Sequence, residues 1–157
     1  MPGRIDFFDD PAAPAANSVV PSANVVVVND SVEILMIRRS DNDNWALPGG
    51  AMDLGESLPA AAVRETVEET GVQIEITGLV GIYTDPRHVI LYTSNNEVRQ
   101  EFSVVFIARP LSGTPTPSDE SREVRWIAPD ELATLTMDRS MRMRIDHYLA
   151  AGSPHLG

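Results

Sequence analysis

The chain has 157 residues, 43% of them hydrophobic and 22% charged, which bounds it to one ordinary globular domain with a real core. Its charge, 12 − 23 = −11, excludes a surface that grips a nucleic-acid backbone electrostatically, and it repels small polyphosphates unless divalent cations intervene. The absence of cysteine excludes disulfides, thiol catalysis and cysteine-held metals, and a reducing cytoplasm is the plain expectation.

Residues 1–20 are rich in Pro, Asp and small side chains and lack the continuous apolar run of a signal peptide. They are expected to be an N-terminal arm, loose or packed on a partner subunit. "SANVVVVND" and "VEILMIRR" are expected as two strands joined by the turn-forming Asn29-Asp30-Ser31. The run Val25–Val28 is far too short to span a membrane. "SDNDNWALPGG" is a polar loop entering a short extended piece, broken at Pro48-Gly49-Gly50, with Trp45 and Leu47 as core anchors.

A helix follows, with Ser57 as N-cap, Pro59 in the first turn and Gly71 as left-handed C-terminal cap. At about 100° per residue, Glu65, Glu68 and Glu69 share one face, and Ala60, Val63 and Val67 fall opposite as the expected packing face. "GLVGIYT", "HVILYT" and "VRQEFSVVFIA" are expected strands, "LSGTPTPSDES" a loop and "EVRWI" the last strand. "PDELATL" suggests a helical turn. A C-terminal helix then carries Met137, Met141, Ile145, Tyr148 and Leu149 on one apolar stripe. Residues 151–157 are expected as a frayed tail, leaving residues 21–150 as the domain. His88, His147 and His155 are scattered, which argues against a histidine-rich metal site.

"RETVEETG", Arg64 to Gly71, concentrates three glutamates in eight residues. Glutamates three and four apart on a helix repel by only about 0.2–0.5 kcal/mol each at a solvated surface. Repulsion alone therefore does not separate a bland acidic face from a cation site. The wider spacing is more specific: Gly50, five residues, Glu56, seven residues, Arg64-Glu65, two residues, Glu68-Glu69, one residue, Gly71-Val72. This pattern resembles the Nudix box, the signature of the Nudix hydrolases, whose members include MutT-like and ADP-ribose pyrophosphatase-like enzymes. The one departure is Thr66, where the pattern has an aliphatic residue. "WALPGG" and "EVRWIAPDEL" are similar to the family too, so the resemblance covers most of residues 20–150.

The resemblance implies an α/β fold: an α/β/α sandwich with a curved mixed sheet between helices and the box as a loop–helix–loop. It implies hydrolysis of a diphosphate linkage in a nucleoside diphosphate derivative, with Mg²⁺ or Mn²⁺ on Glu65, Glu68, Glu69 and the Gly50 carbonyl. Such hard cations take oxygen ligands, and Glu65 and Glu69 stand one turn, about 6 Å, apart. Arg64 then orients the glutamates, and Glu56 is either an outer ligand or, preferably, the partner that locks Arg64. Arg39 matches a position that offers a cation to phosphate, with an ordinary strand-end arginine as the alternative. Glu120 is the candidate for an extra glutamate acting as base or ligand, with Glu123 and Glu97 as rivals.

Pro86 lies 86 − 71 = 15 residues past Gly71, about where ADP-ribose pyrophosphatases of the family carry a proline. That favours ADP-ribose or a related nucleotide sugar, unless Asp85-Pro86 is only a turn. The rival is a MutT-type nucleoside triphosphate pyrophosphohydrolase acting on a normal or oxidised nucleotide. A non-catalytic nucleotide sensor is disfavoured by the intact box. The expected partner is a small nucleotide, with no nucleic-acid polymer and no membrane, and a homodimer is compatible with the sequence.

Overall fold

The computed structural model of the chain describes residues 3–157. The two Val/Ile-rich runs form β3 (Ser22–Val27) and β4 (Ile34–Arg39). Val25 and Val27 enter one core with Ala62, while Val26 enters a second core with Ile145. A strand sends alternate side chains to opposite faces, so β3 is covered on both. Burial on both faces is also why it reads as a continuous apolar run.

Helix α1 (Leu58–Thr70) supplies Ala62 on one side, and α3 (Arg139–Ala150) supplies Ile145 on the other. The expected layering of helix, sheet and helix is present. The central sheet has the order β12 (His155–Leu156), β7 (Gln73–Tyr83), β10 (Ser103–Ser112), β3 and β6 (Gly49–Ala51). It is mixed, because β10 runs parallel to β3 and antiparallel to β7. Three register shifts between β10 and β7 add the local twist that curves it. A second sheet joins β11 (Ser121–Ile127), β4 and β5 (Trp45–Ala46). Trp45 and Leu47 are buried, as anchors should be. The short α2 (Pro129–Leu132) follows β11, and among the described residues no helix is long and apolar enough to cross a membrane.

The third sheet differs most from expectation. Its order is β1 (Arg4–Phe8), β8 (His88–Tyr92), β9 (Glu97–Gln100) and β2 (Ser18–Val19). The segment expected as an arm thus supplies two strands, and β1 pairs antiparallel with β8, placing Arg4 opposite Tyr92. Pairing covers an edge of β8 that would otherwise present open backbone groups. "VRQEFSVVFIA" is not one strand, because the chain changes sheets at Glu101-Phe102, between β9 and β10.

The expected frayed tail folds back along β7, with His155 opposite Gly81. Only glycine permits this approach, since a Cβ at Gly81 would lie 2.7 Å from the His155 Cβ. His155 stacks on Tyr83 and His147 at ring-centroid distances of 4.7 and 4.3 Å, so two histidines that are scattered in sequence meet in space.

Helix α1 has the expected caps. Ser57 accepts a hydrogen bond from the Ala60 N–H, and Gly71 adopts φ 75°. Its packing face is displaced from the expected one: Ala61, Ala62, Thr66 and Thr70 are buried, whereas Ala60 is exposed and Val63 and Val67 are half-buried. The buried face adjoins the acidic one and draws Glu69 into it. Thr66, the departure from the box, is 0% exposed, and its hydroxyl donates to the Ala62 carbonyl at 2.7 Å. A hydrogen bond within its own helix lets it occupy an aliphatic position without an unsatisfied group.

Candidate active site

The site starts at the Gly49-Gly50 turn. Strand β6 pairs with β3 through Gly49↔Asn24 and Gly50↔Ala23, so close that a Cβ at Gly49 would collide with the Ala23 carbonyl oxygen. The bare backbone then faces α1. The Gly49 N–H donates to Glu69 Oε1 at 2.8 Å, and a Cβ at Gly50 would lie 2.6 Å from the Glu65 carboxylate carbon. Two glycines thus bring the main chain against two glutamates one turn apart.

Arg64 organises the rest of the box. Its Nε and Nη2 donate to the two oxygens of Glu56 at 2.7 and 2.8 Å. Nη1 donates to Glu65 at 3.0 Å and to Glu68 at 3.3 Å, and Nη2 also reaches the Ala51 carbonyl at 3.2 Å. Glu56 is occupied as the partner of Arg64, whose hydrogen bonds hold its carboxyl down to about 2. This is the bidentate geometry that guanidinium and carboxylate favour.

Burial pushes the Glu69 carboxyl up to about 8, against the Gly49 N–H and with help from the charges of Glu65 and Glu120. Glu65 is also raised, first by burial, with Glu68 and Glu120 adding to the effect and Arg64 opposing it. Burial thus favours the neutral forms of Glu65 and Glu69, and a cation bound beside them would favour the ionised forms. The donors of this cluster are all oxygens, which suits a hard divalent cation. Among the described residues no three His, Asp or Glu side chains converge into a ready-made cage. The reason lies in the hydrogen bonds above, since Arg64 holds Glu65 and Glu68 while Gly49 holds Glu69. The residues fit such a cation once those carboxylates turn toward it.

A cavity of about 490 Å³ brings together Glu65, Glu68, Glu69, Glu120, Arg39 and Gly50. Arg64 is not among its lining residues. The rivals of Glu120 lie elsewhere: Glu123 pairs with Arg38 at 3.5 Å, and Glu97 with Arg99 and Ser18. Pro86 sits between β7 and β8 and lines a separate surface pocket with Asp9, Pro11, Pro14 and Ala16. Arg4 and Tyr92 also line the acidic cavity. Neither stands out in the sequence, since Arg4 lies in the segment expected as an arm and Tyr92 in the expected strand "HVILYT". The available signal was Arg4 two residues before Asp6, side by side on one strand face, where they form a salt bridge.

The comparisons agree with this geometry. A family model described as NUDIX domain matches residues 19–148. A MutT-like protein of Streptomyces ambofaciens is 34% identical over 131 residues, which cover 83% of this chain and 77% of the relative. A putative 8-oxo-dGTP diphosphatase of Bacillus subtilis is 34% identical over 112 residues, 70% of this chain and 67% of that one. An ADP-ribose pyrophosphatase of Methanocaldococcus jannaschii is 32% identical over 120 residues, 71% of this chain and 64% of that one. Among solved structures, a NUDIX hydrolase from Nitrosomonas europaea aligns with a TM-score of 0.72 at 25% identity, covering 90% of this chain and 78% of that chain. A loop–helix–loop of glutamates against a double-glycine turn, inside a family match that spans most of the chain, makes this protein a member of the Nudix family and a hydrolase of diphosphate bonds.

Proposed function

We propose that the chain hydrolyses a diphosphate linkage in a nucleoside diphosphate derivative with Mg²⁺ or Mn²⁺, held by Glu65, Glu68, Glu69 and the Gly50 carbonyl. The observation that carries this reading is the meeting of Glu65, Glu68, Glu69 and Glu120 in one cavity beside the Gly49-Gly50 turn. When bound, the ion neutralises the diphosphate and lowers the pKa of a coordinated water. Arg64 acts through the carboxylates it holds and is a positioning residue. Glu120, carried by the loop before β11, takes a proton from the attacking water or serves as a further ligand. Arg39 binds Asp41 through Nε and Nη2, at 2.9 and 2.6 Å, which leaves Nη1 for a phosphate oxygen. Water attacks one phosphorus, the bond from that phosphorus to the bridging oxygen breaks, and a phosphomonoester leaves.

Two substrate classes compete. Pro86 favours ADP-ribose or a related nucleotide sugar by resemblance, although it lines neither the acidic cavity nor its neighbour. Relatives named for an oxidised nucleoside triphosphate and for ADP-ribose are nearly equally similar, at 34% and 32% identity. A substrate panel with Mg²⁺, read by product identity, separates the classes. ADP-ribose yields AMP and ribose 5-phosphate, whereas a triphosphate yields nucleoside monophosphate and pyrophosphate. We expect one class to lead by at least tenfold in kcat/KM, about 1.4 kcal/mol of transition-state preference. Absence of turnover on every nucleoside diphosphate derivative tested would overturn the reading.

A further inference from the structure

A second, smaller compartment of about 110 Å³ adjoins the acidic cavity and shares Arg4, Arg39, Gly49, Gly50, Glu69 and Tyr92 with it. The two differ in charge. With every group ionised, the acidic cavity carries Arg4 and Arg39 against Asp41, Glu65, Glu68, Glu69 and Glu120, or 2 − 5 = −3. The small compartment carries Arg4, Arg39, Arg99 and Arg144 against Glu69 and Glu101, or 4 − 2 = +2. Asp6, Asp41 and Glu97, which do not line it, pair with Arg4, Arg39 and Arg99, so what distinguishes the compartment is a lining of four arginines rather than net positive charge.

The arginines are arranged to keep one edge open. Arg4 gives Nε and Nη2 to Asp6 at 2.8 and 3.2 Å. Arg99 gives the same two nitrogens to Glu97 at 2.9 and 3.0 Å, and its guanidinium lies 4.6 Å from the Tyr92 ring centroid. Asp6 and Glu97 do not line either compartment, whereas Arg4 and Arg99 both line the smaller one. Each arginine is therefore braced from behind by a carboxylate two residues away on its own strand. Among the described residues Nη1 of Arg4 has no such partner, and Nη1 of Arg99 has only a long contact, 3.4 Å, to the Tyr92 hydroxyl. A braced guanidinium loses less side-chain entropy when it binds an oxyanion.

Size sets the class of ligand. At about 30 Å³ per water the compartment holds roughly four waters. That is room for a phosphate group, and well below the ~300–1,000 Å³ of a pocket for a whole small molecule. We propose that Arg4 and Arg99, brought in by β1 and β9, form an anion subsite for a phosphate group of the substrate beyond the two phosphates of the scissile linkage. The preferred substrate then carries at least one more phosphate than a nucleotide sugar does. The inference rests on the glutamate box as the cleaving site, but its first test does not.

That test is equilibrium binding of inorganic phosphate to the metal-free protein, by calorimetry, for the native chain, Arg4→Gln, Arg99→Gln and Glu65→Gln. Either arginine variant should weaken binding at least tenfold, and Glu65→Gln should not weaken it. The two arginines sit on different strands, so a folding defect in one variant leaves the other informative, and metal-free melting curves identify such a defect. Failure of the native chain to bind, or equal affinity in all four proteins, overturns the subsite. In turnover, Arg99→Gln should lower the ratio of kcat/KM for a nucleoside triphosphate to that for a nucleotide sugar at least tenfold, mainly through KM. An unchanged ratio contradicts the proposal. Binding that follows the arginines in a protein without turnover leaves the subsite standing and refutes the cleaving site instead.

Discussion

Glu69→Gln is expected to lower kcat by at least about 10²–10³-fold, the scale of removing one preorganised charge from a transition state. The same substitution has the opposite effect on stability without metal. Glu69 in the folded chain holds its proton up to about pH 8, against an ordinary value of 4.5. Between those values the native state binds a proton that the unfolded state has released. Stability of the metal-free protein therefore falls as pH rises through that window, with a slope of up to about 1.4 kcal/mol per pH unit. The amide introduced by Glu69→Gln has no such proton to lose. The metal-free variant should melt higher than the native chain at pH 8 and show a flatter dependence from pH 5 to pH 8. Melting curves in chelator at pH 5, 6.5 and 8 decide this, and parallel curves for the two proteins would contradict it.

Arg64→Ala is expected to lower kcat by about 10–100-fold, the usual effect of removing a group that orients metal ligands. Arg64 spans Glu56, Glu65 and Glu68, and without it three carboxylates lose their common partner. Arg64→Lys should not restore activity, because an ammonium cannot reproduce the two-point contact with Glu56. Glu56 supplies a readout that a catalytic role would not move. Its folded value of about 2 lies below the ordinary 4.5, so the pair stabilises the chain above that ordinary value and loses its effect as pH falls through about 2. In Arg64→Ala this acid-side loss should disappear. Activity equal to that of the native chain would remove Arg64 from the account.

The parts legible in the sequence are those that local chemistry dictates. Ser57 and Gly71 bound α1 as caps should, and the spacing from Gly50 to Val72 places the glutamates that meet at the turn. The doubly buried β3 was visible as a valine run, and Trp45 and Leu47 as anchors. What escaped depends on distant partners. Arg4–Phe8 is a strand because β8 offers it an edge, a fact absent from the Pro- and Ala-rich segment around it. The return of residues 155–156 depends on Gly81, far earlier in the chain. The packing face of α1 was misjudged for a related reason. Helical spacing ranks residues by apolarity, whereas the close approach of β6 buries the side that carries Thr66 and Glu69. Inward-facing Arg144, 3% exposed and bonded to Asn24 and Glu101, was hidden in a helix read only for its apolar stripe.

The central claim is that the glutamates at the Gly49-Gly50 turn bind a divalent cation. Titration of Mn²⁺ into the metal-free native chain, Glu65→Gln and Glu69→Gln, at pH 6.5 and pH 7.5, tests it most directly. The native chain should bind the ion with release of a proton, and more tightly at pH 7.5, because Glu69 must ionise first. Each variant should bind at least tenfold more weakly while melting, without metal, no lower than the native chain. Equal Mn²⁺ affinity in the native chain and both variants would contradict the account.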